Sequence, residues 1–176
     1  MEEDSTKKSV IISLGTNLGN RLENILKTIE KIKSYGISIV KISSIYETDP
    51  VDTVENLKFF NCVIEIKTTY TPQKLLEIFL NIEKEMGRVR THKNSPREID
   101  IDILFYEGLI LNTEKLTIPH PRLHLRKFVL KPLYEITPEF THPILKLKIS
   151  EILNKCDNSF KVQKKIEAKE FMKYLK

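Results

Sequence analysis

Short runs in which apolar and polar residues alternate are separated, along this chain, by stretches where apolar residues return every three or four positions. Ser9 to Ser13 is a brief apolar run ending at Gly15-Thr16-Asn17, which predicts a first strand. Asn20 then stands as a helix cap. Leu22, Ile25, Leu26, Ile29 and Ile32 follow at helical spacing, and Gly36 stops the helix. Residues 37–47 alternate through Ile37 and Ile39 and predict one strand, and residues 59–68 predict the next. Thr71 and Pro72, a cap and a first-turn proline, open a helix that turns Leu75, Leu76, Ile78, Phe79, Ile82 and Met86 inward and ends at Gly87. Residues 95–105 alternate again, now with two aspartates among the isoleucines. Glu107-Gly108 turns toward a hairpin strand around Leu109–Leu111. After Pro119 and Pro121, helical spacing resumes at Leu123, Phe128, Leu130 and Leu133, with Lys131-Pro132 expected to kink or divide that helix. Ile149–Leu153 predicts a short last helix.

The order β-α-β-β-α-β, then a hairpin and C-terminal helices, predicts an α+β fold: a ferredoxin-like core whose antiparallel sheet is flanked by helices. The chain of 176 residues suits one domain and shows no internal repeat. We place that domain at residues 9–154, between a polar N-terminal extension, 1–8, and a lysine-rich tail, 155–176, expected to be solvated. The tail carries much of the excess behind the net charge of +5, so the basic pI does not by itself call for a nucleic-acid face. No apolar run is long enough to span a membrane, and the first eight residues are unlike a secretory signal. Cys62 and Cys156 lack metal-type spacing and are expected to be reduced thiols, so a cytoplasmic protein is expected.

Candidate chemistry concentrates near residue 100. Side chains alternate along a strand, so Asp100 and Asp102 share a face, their Cα atoms roughly 6.5–7 Å apart, while Ile99, Ile101 and Ile103 fill the other. Two carboxylates side by side repel unless a cation sits between them, and hard Mg²⁺ favours such ligands. A strand with a solvated polar face is the competing reading. A basic loop, Arg88, Arg90, His92, Lys93 and Arg97, leads directly into this strand, a placement that lets metal and guanidinium groups share one polyphosphate. Phe59 and Asn61 share the non-core parity of their strand. A ring beside a carboxamide suits a flat heterocycle, but on the residues alone the better reading is Phe59 packed under a second helix layer and Asn61 capping a turn. His120 and Arg126 are further phosphate candidates, although a histidine between prolines can equally be a turn residue bonded to backbone. Neither GxGxxG nor GxxxxGK[ST] occurs, no His/Cys cluster suits zinc, and no nucleophilic triad is visible. Two rival classes stay open on residues alone: another metal-dependent nucleotidyl or phosphoryl transferase, and a basic RNA-binding module, though the latter's RNP-type aromatic pattern is absent.

Seven ordered segments resemble one known family. They are Ser13-Leu14-Gly15-Thr16-Asn17-Leu18-Gly19, Ser43-Ser44-Ile45-Tyr46-Glu47-Thr48-Asp49-Pro50-Val51, Phe59-Phe60-Asn61, Gly87-Arg88-Val89-Arg90, Pro96-Arg97-Glu98-Ile99-Asp100-Ile101-Asp102-Ile103-Leu104, Ile118-Pro119-His120-Pro121-Arg122-Leu123, and Phe128-Val129-Leu130-Lys131-Pro132-Leu133. Together they resemble the 6-hydroxymethyl-7,8-dihydropterin pyrophosphokinases of folate biosynthesis. The resemblance implies transfer of pyrophosphate from ATP to the pterin hydroxymethyl group, with two Mg²⁺ ions held by Asp100 and Asp102. It assigns catalytic roles to Arg88, Arg97, Asp100 and Asp102, and pterin contacts to Thr48, Val51, Phe59, Asn61 and Phe128. It assigns the ATP site to Glu83, Arg88, Arg90, Arg97, Ile103, Lys115, Thr117, His120 and Arg126. The implied partners are these small molecules alone, with no nucleic acid or membrane, and the implied state is a monomer. Departures from the family pattern fall in loops: Asp52, Asn56-Leu57-Lys58, Ser95, and the absence of tryptophan.

Overall fold

The computed structural model describes residues 7–50, 57–88, 95–157 and 161–175. Along the chain these form β1 (Lys8–Thr16), α1 (Arg21–Ser34), β2 (Ser38–Ile42), β3 (Ile45–Thr48), β4 (Phe59–Thr68), α2 (Pro72–Glu85), β5 (Asp100–Tyr106), β6 (Leu111–Asn112), β7 (Thr117–Ile118), α3 (Lys127–Ile136), α4 (Ile149–Lys155), β8 (Val162–Ile166) and α5 (Ala168–Phe171). The main sheet runs β5-β1-β4-β3-β8 with β2 also against β4, and every pairing in it is antiparallel. With β2 and β3 counted as one interrupted strand, the core order is βαββαβ.

Local signals place the helices. The Asn20 side chain accepts from Glu23 N at 3.2 Å, and Thr71 does the same for Lys74 N at 3.3 Å, satisfying donors that helix starts leave orphaned. Gly36 and Gly87 take positive φ just past α1 and α2, a conformation that glycine adopts without a side-chain clash. One cluster of buried side chains joins Ile25, Ile29 and Ile32 of α1 and Leu75, Phe79 and Ile82 of α2 to one sheet face. A second joins Val129, Leu130 and Leu133 of α3 and Ile149 and Ile152 of α4 to the other. The result is an α+β sheet with helices on both faces. A bulge in the β1–β5 pairing between Ile11 and Ile12 places both Leu104 and Phe105 in the second cluster, after the strict alternation of residues 99–103.

Four expectations need correction. Residues 37–47 are two strands, broken at Ser43-Ser44. There Ser43 N donates to Val63 O and Ser43 Oγ accepts from Val63 N, both at 2.9 Å, while Ser44 N and Oγ donate to Glu135 Oε1. Small hydroxyls thus satisfy buried main chain where the ladder stops. The hairpin forms between β6 and β7 as a separate pair, not from a strand at Leu109–Leu111 against β5. α3 runs unbroken through Pro132; the bond that proline forfeits would have gone to the Phe128 carbonyl in the helix's first turn, where little helix precedes it to be broken. The interruption lies earlier, after the 3₁₀ turn Leu123–Leu125.

The tail is the fourth. Residues 162–166 add the edge strand β8 to β3, and Phe171 is fully buried in the first core cluster. The lysines of β8 point outward and only Val162 is buried, which is why composition disguises a structural strand as a solvated tail. Phe171→Ala is therefore expected to cost about 3–5 kcal/mol, read as a lower urea midpoint. A midpoint equal to that of the unaltered chain would return the segment to solvent.

Candidate active site

The C-terminal ends of β1 and β3 meet the N-terminal ends of β4 and β5 at one edge of the sheet, where Gly15 lies opposite both Asp100 and Asn61, and Thr48 lies opposite Phe59. Period-2 geometry then sorts β5. Ile99, Ile101 and Ile103 enter the core beneath α1 and α2, and the aspartates turn to the α3 side.

Each aspartate meets two cationic or imidazole groups. Arg88 Nη1 lies 2.6 Å from Asp100 Oδ1, and Arg97 Nη1 lies 3.5 Å from Asp100 Oδ2. Arg126 Nη1 and His120 Nε2 stand 3.7 Å and 3.8 Å from Asp102 Oδ2. Arg88 also pairs with Glu83 at 2.6 Å, and Glu83, only 3% exposed, accepts from Ile101 N at 2.8 Å. Glu83 thereby fixes both the arginine and the start of the aspartate strand. Burial works against the Arg88 charge, but Asp100 and Glu83 outweigh it and hold its pKa above the ordinary arginine value.

Burial first, then the charge of Asp100, push Asp102 up to about 6, against the pull of Arg126. A carboxylate pair whose joint ionisation is opposed in this way is relieved by a divalent cation, and its hard oxygens suit Mg²⁺. Among the described residues no set of three or more His, Cys, Asp and Glu side chains is placed to hold a metal, so phosphate and water oxygens would complete the coordination. His120 is pushed down to about 4 by burial and by Arg126 and Arg122, and is neutral at pH 7. Its Nδ1 accepts from Arg122 N at 3.2 Å, which assigns the proton to Nε2, the nitrogen nearer Asp102. The His120 main chain is tied to β5 as well, through His120 N to Leu104 O at 3.0 Å.

Two aromatic rings complete the arrangement. The Arg97 guanidinium stands 5.7 Å from the half-buried Phe59 ring, and that of Arg126 stands 5.7 Å from Phe128 at the start of α3. Asn61 and Thr48, both nearly buried, are joined by an Asn61 Nδ2 to Thr48 Oγ1 bond of 3.0 Å. A Cβ at Gly15 would lie 3.2 Å from Asn61 Oδ1, so a side chain there would crowd the carboxamide.

The structure thus brings together Arg88, Arg97, Asp100, Asp102, His120, Arg126, Phe59 and Phe128, with Glu83 beneath them. Lys115 is exposed on the β6–β7 turn, and Thr117 Oγ1 donates to Asn112 Oδ1 on the same hairpin. Ile103 packs its side chain into the core, on the face away from the aspartates. Val51, Arg90, His92 and Lys93 lie outside the described residues. Sequence reasoning assigned no role to Gly15 or Asn17, whose signals were their place at the end of the first strand and in the first family-like segment.

Residues 11–138 match the family model described as 7,8-dihydro-6-hydroxymethylpterin-pyrophosphokinase (HPPK). The chain belongs to the HPPK family. It is 41% identical over 153 residues to the 2-amino-4-hydroxy-6-hydroxymethyldihydropteridine pyrophosphokinase of Aquifex aeolicus, covering 87% of this chain and 94% of that protein. To the Bacillus subtilis protein of the same name it is 42% identical over 126 residues, covering 71% of this chain and 75% of that one. The folic acid synthesis protein fol1 of Pneumocystis carinii is 44% identical over 154 residues, 88% of this chain. The chain spans about a fifth of the length of several such larger relatives, 21% in that case. The HPPK fold also aligns with a Plasmodium falciparum HPPK-DHPS crystal structure at a TM-score of 0.68 and 19% identity, covering 85% of this chain and 44% of that one.

Proposed function

We propose that this HPPK-family chain transfers pyrophosphate from ATP to the hydroxymethyl group of 6-hydroxymethyl-7,8-dihydropterin, releasing AMP and the pterin diphosphate ester, a step of folate biosynthesis. One observation carries the reading: paired aspartates, each beside an arginine, lie next to two aromatic rings that each stand near an arginine. Polyphosphate and flat heterocycle would therefore sit side by side, as transfer between them requires.

The pterin ring lies between Phe59 and Phe128, and Asn61 reads its edge with Thr48 holding the carboxamide in plane. The resemblance assigns the segment at Val51 to pterin recognition as well. The hydroxymethyl oxygen attacks the β-phosphorus of ATP, and the bond from that phosphorus to the oxygen bridging it to the α-phosphate breaks, leaving AMP. Asp100 and Asp102 would hold two Mg²⁺ ions, which would offset phosphate charge and help align the reacting groups. Arg88, Arg97 and Arg126 offset charge that builds on the transferred group, and neutral His120 donates from Nε2 to a phosphate oxygen. Glu83 orients Arg88 from below. The resemblance assigns Arg90, Ile103, Lys115 and Thr117 to the nucleotide site as well; the Ile103 side chain lies in the core, which leaves its main chain for that role. No general base is assigned. The chain acts on small molecules, as a monomer and in the cytoplasm; its two free thiols support the compartment.

The test is a Mg²⁺-dependent assay with ATP and 6-hydroxymethyl-7,8-dihydropterin, following AMP. Equimolar AMP and pterin diphosphate are expected. Release of ADP or of free pyrophosphate would assign a different transfer.

A further inference from the structure

We infer that Asn17 is a positioning residue for Arg97, acting on the arginine's main chain so that its guanidinium stays available to phosphate; the inference rests on the function proposed above. Asn17 follows β1 and is 4% exposed. Its N–H donates to Arg97 O at 3.2 Å, and its side-chain Oδ1 accepts from Arg97 N at 2.8 Å. One residue thus meets both main-chain polar groups of Arg97. The turn that holds Asn17 is itself tied to α1, where Asn24 Nδ2 donates to Leu18 O at 2.8 Å and to Thr16 Oγ1 at 3.3 Å. Arg97 is in this way referenced to the β1–α1 frame.

The guanidinium shows the complementary pattern. Its Nη1 lies 3.5 Å from Asp100, its Cζ stands 5.7 Å from the Phe59 ring, and its Nε is buried with no acceptor among the described residues. Asn17 Nδ2 has none there either, and it is the carbonyl oxygen that makes the contact to Arg97 N. Each guanidinium donor committed to protein is one fewer for the ligand. Arg97, unlike Arg88, has no short carboxylate contact among the described residues to orient it, so orientation and availability compete. Anchoring the main chain on both sides of the Cα removes that conflict, and it keeps the side chain within the small tolerance that charge stabilisation needs.

Two readouts on the full chain test this. Without ligand, the Arg97 amide is expected to exchange with deuterium at least about tenfold faster in Asn17→Ala, and within about threefold of the unaltered protein in Asn17→Asp, which keeps the acceptor. In turnover, Asn17→Ala is expected to lose at least about tenfold in kcat, with KM for ATP and pterin within about threefold. Asn17→Ser, whose shorter side chain keeps polarity without the reach, serves if the alanine variant does not fold, and is expected to behave likewise. Unchanged exchange in a folded Asn17→Ala or Asn17→Ser would overturn the anchor. Fast exchange with unaltered kcat, or a loss confined to KM, would overturn its link to catalysis. A native chain that released no AMP would defeat the proposed function, while the exchange result would still decide whether Asn17 holds Arg97.

Discussion

Asp102→Asn is expected to cut AMP release by about three orders of magnitude or more while leaving the protein at least as stable as before. The rate loss follows from the role proposed for the carboxylate pair: removing one ligand forfeits charge stabilisation worth several kcal/mol in the transition state, and each 1.36 kcal/mol or so is a factor of ten. The stability follows from electrostatics. Burial and the neighbouring Asp100 hold the Asp102 carboxyl up to about 6, above its unfolded value. Ionised Asp102 therefore opposes folding above that pH, and its stabilising contribution is present only when it is protonated at lower pH. Asparagine keeps the shape and removes the charge. Asp100→Asn is expected to lose turnover similarly, and Arg88 keeps its 2.6 Å contact with Glu83 in that variant. Steady-state AMP release and thermal melting at pH 7.5 check both. Turnover unaffected in both variants would end the assignment of these aspartates as metal ligands.

Arg97→Ala is expected to lower kcat by about 10²–10³ while changing the pterin KM much less, because the proposed guanidinium contact strengthens as charge develops on the transferred phosphoryl group. Its grip on ground-state groups is slight, a 3.5 Å approach to Asp100 and a 5.7 Å distance to the Phe59 ring. Arg97→Lys is expected to recover only part of the loss, since an ammonium replaces the charge but not the planar fork. Initial rates over a grid of ATP and pterin concentrations separate the two constants. A variant whose defect lay mainly in pterin KM would place Arg97 in recognition of the heterocycle and not in the transfer.

Local patterns carried much of this molecule. Asn20 and Thr71 cap helices as their residue types predict, Gly36 and Gly87 end them, and the alternation from Ile99 to Ile103 put both aspartates on one face. The seven family-like segments pointed to the residues that gather around those aspartates. Less legible were the supports. The resemblance assigned Glu83 to the ATP site, but nothing in its local pattern showed that it lies under Arg88 and accepts from Ile101 N. Glu135 ties Ser44 and Tyr46 of the β2–β3 region to α3 through bonds spanning about ninety residues of chain, a relation no window of sequence displays.

The division has a physical cause. Side-chain period, caps and turn glycines act within one or two turns of backbone, so the chain by itself determined β1, β4 and β5, helices α1 and α2 with their ends, and which face of β5 would be acidic. Which cation meets which carboxylate depends on strand order and register, terms set by packing between distant segments. Only the tertiary structure placed Arg88 and Arg97 on Asp100, Arg126 and His120 near Asp102, and Asn17 against the Arg97 main chain. The C-terminal segment shows the same limit. Its lysines describe an exposed surface, and only the open edge of β3 decided that this surface would be the outer side of a strand.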